Sequence, residues 1–392
     1  MNKVRVGIVG IGNIGTAHAN TLFGGKVEGA VLSAVCDILP DRREFAKETY
    51  TGVAIFDDYK KMFESGLVDA VIVSTPHKLH CDIAMDALNS GLNALVEKPV
   101  DITVSKANAM NELASKTDKK FAIMFNQRTN DVFAKAREIV KSGALGELKR
   151  TVWIITNWYR TQRYYDSAGW RATWAGEGGG VMLNQAPHNL DLWQWICGMP
   201  CEVTANCEVG KYHNIEVEDD VTLLTRYENG ATGVFITTTG EFPGTNRLEI
   251  SGTKGKIVVE NGTLKWWKLP EDEREICFNA EQLFPSIKCE YEEFVTQSRD
   301  GEAHKKIIQN YVNAILSGEE LLSPGTDGIY ELSLSNAAYL SSWKGGETVK
   351  LPLDTDEFDK LLNEKINNSK VNDPTATKHA SGSYSKRWQV NW

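Results

Sequence analysis

The sequence predicts an α/β protein in two parts: a doubly wound parallel sheet at the N-terminus, then an α+β domain with a large, mostly antiparallel open sheet. Three observations carry this. Apolar strand-like runs alternate with amphipathic helical stretches over residues 1–125. A Gly10-Ile11-Gly12-Asn13-Ile14-Gly15 loop joins the first run to the first helical stretch. Beyond residue 148 the pattern becomes strand-dominated, with hairpin-turn signals.

The first-part strands are expected at 4–9, 31–36, 70–74, 93–96 and 121–125. They are rich in Val and Ile and nearly continuous, as parallel strands buried on both faces should be. Helical stretches at 16–23, 41–49, 58–65, 79–90 and 103–117 separate them. Repeated strand–helix units of this kind make a parallel sheet covered on both faces. In the second part a strand is expected at 148–158, a helix at 184–197, and strands at 201–209, 221–227, 232–239, 247–251, 255–260 and 263–268. Glu228-Asn229-Gly230 and Glu260-Asn261-Gly262 read as hairpin turns, so the later strands are expected to run as a meander. Helices are predicted again at 289–297, 303–317 and 327–342. The resulting division is a dinucleotide-binding domain at 1–125, a substrate-binding and oligomerisation domain at 126–353, and a C-terminal helix and extended tail at 354–392. The tail is polar, with disorder expected up to Ser383; Tyr384, Trp388 and Trp392 suggest that its end docks, on another subunit for example.

A chain of 392 residues is too long for one core. Its 43 basic and 52 acidic residues give a net charge of -9, which argues against a nucleic-acid partner, since such surfaces need clustered Lys and Arg. The N-terminus enters a strand pattern at once, without the layout of a signal peptide, and no apolar run is long enough for a membrane span. The 7 cysteines are scattered without a CxxC pair and read as buried, reduced thiols of a cytoplasmic protein.

The glycine loop stands where a dinucleotide pyrophosphate is expected to bind. Gly10 permits the tight turn, Gly12 lets the backbone approach the anion, and Gly15 lets helix and strand pack closely. The N–H groups of the helix start then face the anion. The second strand ends at Asp37, about 20 residues beyond the loop, where a carboxylate accepts hydrogen bonds from the adenosine ribose. It also repels a 2′-phosphate, so NAD is expected over NADP, although Arg42 and Arg43 follow closely. This is the signature of a Rossmann domain.

A second constellation supplies chemistry. The fourth strand ends in Glu97-Lys98-Pro99, and in such sheets ligands lie beyond the strands' carboxyl ends. Lys98 there can hold a substrate oxygen and assist proton transfer. Later, Gly178-Gly179-Gly180 precedes Asn184, His188 and Asp191, spaced to share one face of a continuous helix. His188 is the natural general base near neutral pH.

With these motifs in this order, the chain resembles the glucose–fructose oxidoreductase / inositol dehydrogenase family (Gfo/Idh/MocA). The matching pieces are the glycine loop, Ser74-Thr75-Pro76 with His80, Glu97-Lys98-Pro99, Trp170-Arg171, Gly178-Gly179-Gly180, His188-x-x-Asp191 and Ile250-Ser251-Gly252-Thr253-Lys254-Gly255. The resemblance covers residues 4 to about 353. It implies a pyridine-nucleotide oxidoreductase acting on sugars, polyols or related carbinols, and a sheet face used for homo-oligomer formation. By position it makes Lys98 and His188 catalytic and brings Ser74, Thr75, Pro76, His80, Glu97, Arg128, Trp170 and Arg171 toward the cofactor. The family often has Asp where this chain has Asn184. An amide carries no charge, so Asn184 is expected to bind a substrate hydroxyl and leave acid–base work to His188 and Lys98. The stretch around Asn184 is also similar to a subgroup that includes glycoside 3-dehydrogenases. Trp158 and Tyr159 are candidates for contact with a sugar ring.

The expected activity is therefore NAD-dependent hydride transfer at a secondary hydroxyl of a sugar, a glycoside (at C3, for instance) or a cyclitol such as inositol. Two alternatives are a redox-assisted glycoside-cleaving enzyme with no net NADH formation, and a non-enzymatic NAD-binding regulator. His77 and His80 resemble half of a metal site, but lack an acidic or Cys partner at metal spacing, so no metal is expected. The acidic run at 216–220 reads as a solvated loop, and Trp193 and Trp195 as core residues.

Overall fold

The computed structural model describes residues 3–298 and 301–370; the tail expectation lies outside these residues. Six strands form the first sheet: β1 (Val4–Val9), β2 (Ala30–Cys36), β3 (Ala54–Phe56), β4 (Ala70–Val73), β5 (Asn93–Val96) and β6 (Phe121–Ile123). All neighbours pair in parallel, in the order β3-β2-β1-β4-β5-β6. This is the doubly wound order expected, with the reversal between β1 and β4 opening a crevice at their carboxyl ends. Burial explains the apolar runs: every residue of β4 is buried. The edge strand β3 carries no sequence signal, being three half-buried residues.

The second sheet contains β7 (Leu148–Ile155), β8 (Glu202–Val209), β9 (Glu218–Arg226), β10 (Thr232–Thr238), β11 (Asn246–Gly252), β12 (Gly255–Glu260), β13 (Thr263–Lys268), β14 (Glu290–Val295) and β15 (Val349–Lys350). Their order is β14-β13-β12-β11-β7-β10-β9-β8-β15. The expected single meander is corrected here. β7 enters the middle, parallel to β10 and antiparallel to β11, and divides the later strands into two antiparallel runs. Its inward residues Thr151, Trp153 and Ile155 are fully buried, which suits a central strand rather than an edge. Asn261 and Gly262 both have positive φ (50° and 69°), and Glu260 pairs with Thr263, so the predicted two-residue hairpin is present. The helix predicted at 289–297 is instead β14. Glu-rich local propensity yields there to pairing with the open edge of β13.

Helices Pro187–Cys197 and Gly328–Trp343 accompany this sheet. Trp193 Nε1 donates to Thr151 Oγ1 at 2.8 Å, and its ring packs on Phe235 with centroids 5.4 Å apart. Trp195 is only half-buried, with the guanidinium of Arg137 4.4 Å above its ring. Helix Ala303–Ser317 returns to the first sheet, burying Ile307, Ile308, Tyr311 and Val312 with Val4, Val6 and Leu32. A C-terminal helix, Thr355–Asn367, starts at Asp354, whose side chain accepts from the N–H groups of Asp356 and Glu357. Among the described residues no helix is long and apolar enough to cross a membrane. Cys277 and Cys289 are exposed, unlike the buried thiols expected.

Candidate active site

The glycine loop has the geometry its sequence implies. Gly10 has φ +91°, and a Cβ there would lie 2.7 Å from the Ser74 carbonyl oxygen. A Cβ on Gly15 would lie 1.9 Å from the Gly10 carbonyl oxygen. Gly12 differs, since nothing in the protein lies within 4 Å of a Cβ built there. Its lack of a side chain serves no internal contact and leaves the helix N-terminus open to a ligand. Asp37 sits beside the loop: Oδ2 accepts from Ile11 N at 2.7 Å and Oδ1 from Leu39 N at 2.9 Å. Arg43 Nη1 donates to the Asp37 carbonyl oxygen at 2.9 Å. The hydroxyls of Ser74 and Thr75, on the turn after β4, are buried with no hydrogen-bond partner among the described residues. Orphaned hydroxyls and an open cradle at one switch point fit a dinucleotide.

After β5, Lys98 turns toward the second domain, while Glu97 turns back to the first helix. Glu97 Oε1 lies 2.7 Å from His18 Nε2, and both side chains are nearly inaccessible. Burial pushes the Glu97 carboxyl up, but the hydrogen bond to His18 and the surrounding imidazole and ammonium groups outweigh it and hold the pKa at about 2. The ring of His304 stands 5.7 Å from that of His18, and Asn126 Nδ2 lies 3.3 Å from the His304 ring nitrogens. Burial lowers the His304 pKa to about 4. Lys98 Nζ donates to the backbone carbonyl of Asn184 at 2.7 Å. Burial also lowers the Lys98 pKa, against the opposing pull of Glu97, Glu331 and Glu177.

The second domain supplies the facing wall. The helix expected at 184–197 is broken into Val181–Asn184 and Pro187–Cys197, with Pro187 in the first turn of the latter. Asn184, His188 and Asp191 therefore do not share one helix face. His188 is 8% exposed, and burial followed by the positive charge of Lys98 holds its pKa well below 6.5. Asn184 Nδ2 donates to Glu177 Oε1. The buried carboxyl of Glu177 is raised by desolvation and eased downward by Arg171 and Lys98. Sequence reasoning missed Glu177, which looks like an ordinary loop acid beside three glycines. It also missed Arg160, whose charge acts on Lys98.

The acidic run at 216–220 is corrected from solvated loop to buried anchor. Glu218 is 1% exposed and accepts from the backbone N–H groups of Gly180 and Met182 and from the Tyr339 hydroxyl, the last at 2.7 Å. A Cβ on Gly180 would lie 1.9 Å from the Glu218 carbonyl oxygen, so the glycine is needed for this close approach. Asp219 accepts from the N–H groups of Lys211, Tyr212 and His213.

The other sequence-based candidates make mostly internal contacts. Arg128 is 2% exposed and its guanidinium is held by Asp191 at 2.6 Å and Asp327 at 2.7 Å. Its charge is balanced by these two carboxylates inside the protein. Both ring nitrogens of His80 lie 2.7 Å from carbonyl oxygens, of Pro99 and Thr75, so the ring clasps two cleft loops from behind. Trp158 is 1% exposed and belongs to the core, which removes it as a ring-stacking surface; Tyr159 is exposed and packs beside Phe242. Trp170 packs edge-on to His77, and the Arg171 guanidinium lies 4.7 Å above the Trp170 ring. Among the described residues no cluster of His, Cys, Asp and Glu could hold a metal ion.

Two family models match this chain. Residues 4–125 match the oxidoreductase family with the NAD-binding Rossmann fold, and residues 133–258 match the GFO/IDH/MocA C-terminal domain. The chain belongs to the Gfo/Idh/MocA oxidoreductase family. The expectation drawn from the motifs is thereby confirmed, as is an NAD-binding Rossmann domain in an oxidoreductase. Among its relatives, myo-inositol 2-dehydrogenase of Thermotoga maritima is 26% identical over 343 residues, covering 86% of this chain and 95% of that protein. The scyllo-inositol 2-dehydrogenase (NAD(+)) of Bacillus subtilis is 25% identical, covering 89% and 97%. Among solved structures, the WlbA dehydrogenase of Bordetella pertussis, in complex with NADH and UDP-GlcNAcA, is similar with a TM-score of 0.74 and 25% identity, covering 90% of this chain and all of that one.

Proposed function

We propose that this family member oxidises a secondary hydroxyl of a cyclitol, sugar or glycoside reversibly, with NAD as the redox partner. The observation that carries the reading is the convergence of Lys98, from the NAD-binding domain, and His188, from the second domain, on one buried cluster. The relatives that oxidise inositols support the substrate class. The open glycine cradle, Asp37 and the hydroxyls of Ser74 and Thr75 are the groups that would hold NAD. When bound, NAD supplies the hydride acceptor.

His188, kept neutral by its surroundings, removes the hydroxyl proton of the substrate as the carbon–hydrogen bond breaks. Lys98 has further N–H bonds besides the one given to Asn184, and directs one at the oxygen that develops negative charge. Asn184 holds a neighbouring hydroxyl. The test is NADH formation over a panel of inositols, free sugars and methyl glycosides oxidisable at C3. Turnover of at least one polyol is expected, and silence across the panel with intact NAD binding would refute the reading. The open face of the second sheet leaves Leu224 half exposed, beside its partly exposed cross-strand neighbours Val234 and Val152, which supports a homo-oligomer through this face. Light scattering after gel filtration checks it, a monomer being the refuting result.

A further inference from the structure

Asn184 is held at both ends. Its backbone carbonyl accepts from Lys98 Nζ at 2.7 Å, and its side-chain Nδ2 donates to Glu177 Oε1. The other Glu177 oxygen, Oε2, accepts from the backbone N–H of Ala172 at 2.7 Å. Ala172 has φ +55°, an uncommon conformation for alanine, and that hydrogen bond helps to hold it. Arg171 Nη1 lies 3.7 Å from Glu177 Oε1, and the carboxylate as a whole is 1% exposed. Glu177 is thus a fixed, buried group tied to the loop on one side and to Asn184 on the other.

A carboxylate accepts hydrogen bonds and donates none. It therefore dictates which end of the Asn184 amide faces it. One N–H of Nδ2 is given to Glu177, and Oδ1 is turned to the other side of the amide. We propose that Glu177 is a positioning residue that locks the polarity of Asn184, so that the site presents an acceptor there and selects a substrate hydroxyl that donates. The substrate half of this rests on the polyol reading above; the locking of the amide does not.

The polarity can be reversed on paper. With Glu177→Gln, the new amide oxygen takes the Ala172 N–H and its nitrogen faces Asn184, which must turn its carbonyl inward and present Nδ2 to the substrate. With Asn184→Asp alone, two carboxylates face each other and cannot both ionise. The double variant again has one donor opposite one acceptor, and an acceptor toward the substrate.

Two measurements decide it. Melting temperatures at pH 8 with saturating NAD are expected to fall by roughly 4 °C for Asn184→Asp and to recover most of that loss when Glu177→Gln is added. Additive losses, or no loss in Asn184→Asp, would overturn the lock. For selectivity, kcat/KM is compared between myo-inositol and its monodeoxyfluoro analogues, in which fluorine cannot donate. The wild type should reject the analogue fluorinated at the Asn184 contact by roughly tenfold or more. Glu177→Gln should narrow that ratio and the double variant restore it. An unchanged ratio in Glu177→Gln would overturn the proposal. Should the wild type oxidise no polyol, the functional reading falls, and the melting cycle still decides the role of Glu177.

Discussion

Lys98 Nζ and the carbonyl oxygen of Asn184 are 2.7 Å apart, so one hydrogen bond joins the end of the parallel sheet to the wall of the second domain. Lys98 is thereby placed before any substrate arrives. Its position beside His188 yields the most direct prediction. Lys98→Ala and His188→Ala should each lower turnover by roughly 10²–10⁴-fold, the usual worth of a positioned acid or base. NAD affinity, read by fluorescence titration, should change little. Near-normal turnover in both variants is incompatible with the proposed roles.

His188 also sets a pH expectation. Burial and the charge of Lys98 hold its pKa well below 6.5, so the neutral, proton-accepting form already dominates at neutral pH. The kcat/KM profile for oxidation reports groups of the free enzyme. It should show no acid limb from His188 until well below pH 6.5. A histidine resonance assigned to His188 that titrates near neutrality would contradict this.

The glycine loop separates binding from folding. A Cβ on Gly12 meets nothing within the protein, whereas one on Gly15 would lie 1.9 Å from a backbone oxygen. Gly12→Ala should therefore keep its melting temperature and lose NAD affinity, and Gly15→Ala should be destabilised by roughly 1–3 kcal/mol. Equal thermal losses in the two variants would show that Gly12 is structural after all.

Arg128 gives the opposite contrast. It is buried between Asp191 and Asp327, and breaking a buried pair typically costs about 3–5 kcal/mol. Arg128→Met should lower the urea midpoint strongly. NAD affinity of the folded fraction should be unchanged; a selective loss of affinity without loss of stability would restore the cofactor contact that the motif order suggests.

Stability should weaken in acid in two steps. The His304 pKa is lowered from 6.5 to about 4, so the unfolded chain takes up that proton first. Its contribution is complete above 6.5 and is lost as pH falls through about 4. Glu97 follows: lowered from 4.5 to about 2, it stabilises the fold above 4.5, and that support is lost as pH falls through about 2. Urea unfolding at pH 8, 6 and 5 should show a shallower decline for His304→Asn than for the wild type. Parallel declines would remove His304 from this account.

Local rules made much of the first domain legible. β1 and β5 lie where nearly continuous apolar runs predict them, because strands buried on both faces must be largely apolar. The glycine positions, Asp37, Lys98 and His188 were readable because backbone approach, a strand end and a titratable side chain each demand a particular residue type. The family followed from the order of those motifs. Tertiary structure alone decided the rest. The helix was broken before Pro187, Asp191 was turned to Arg128, β7 was inserted beside β10, and edge pairing made β14 a strand. Glu177 and Glu218 emerged only in the folded chain. Nothing in the local sequence marks either carboxylate as buried; its role comes from which distant N–H groups the fold brings to it.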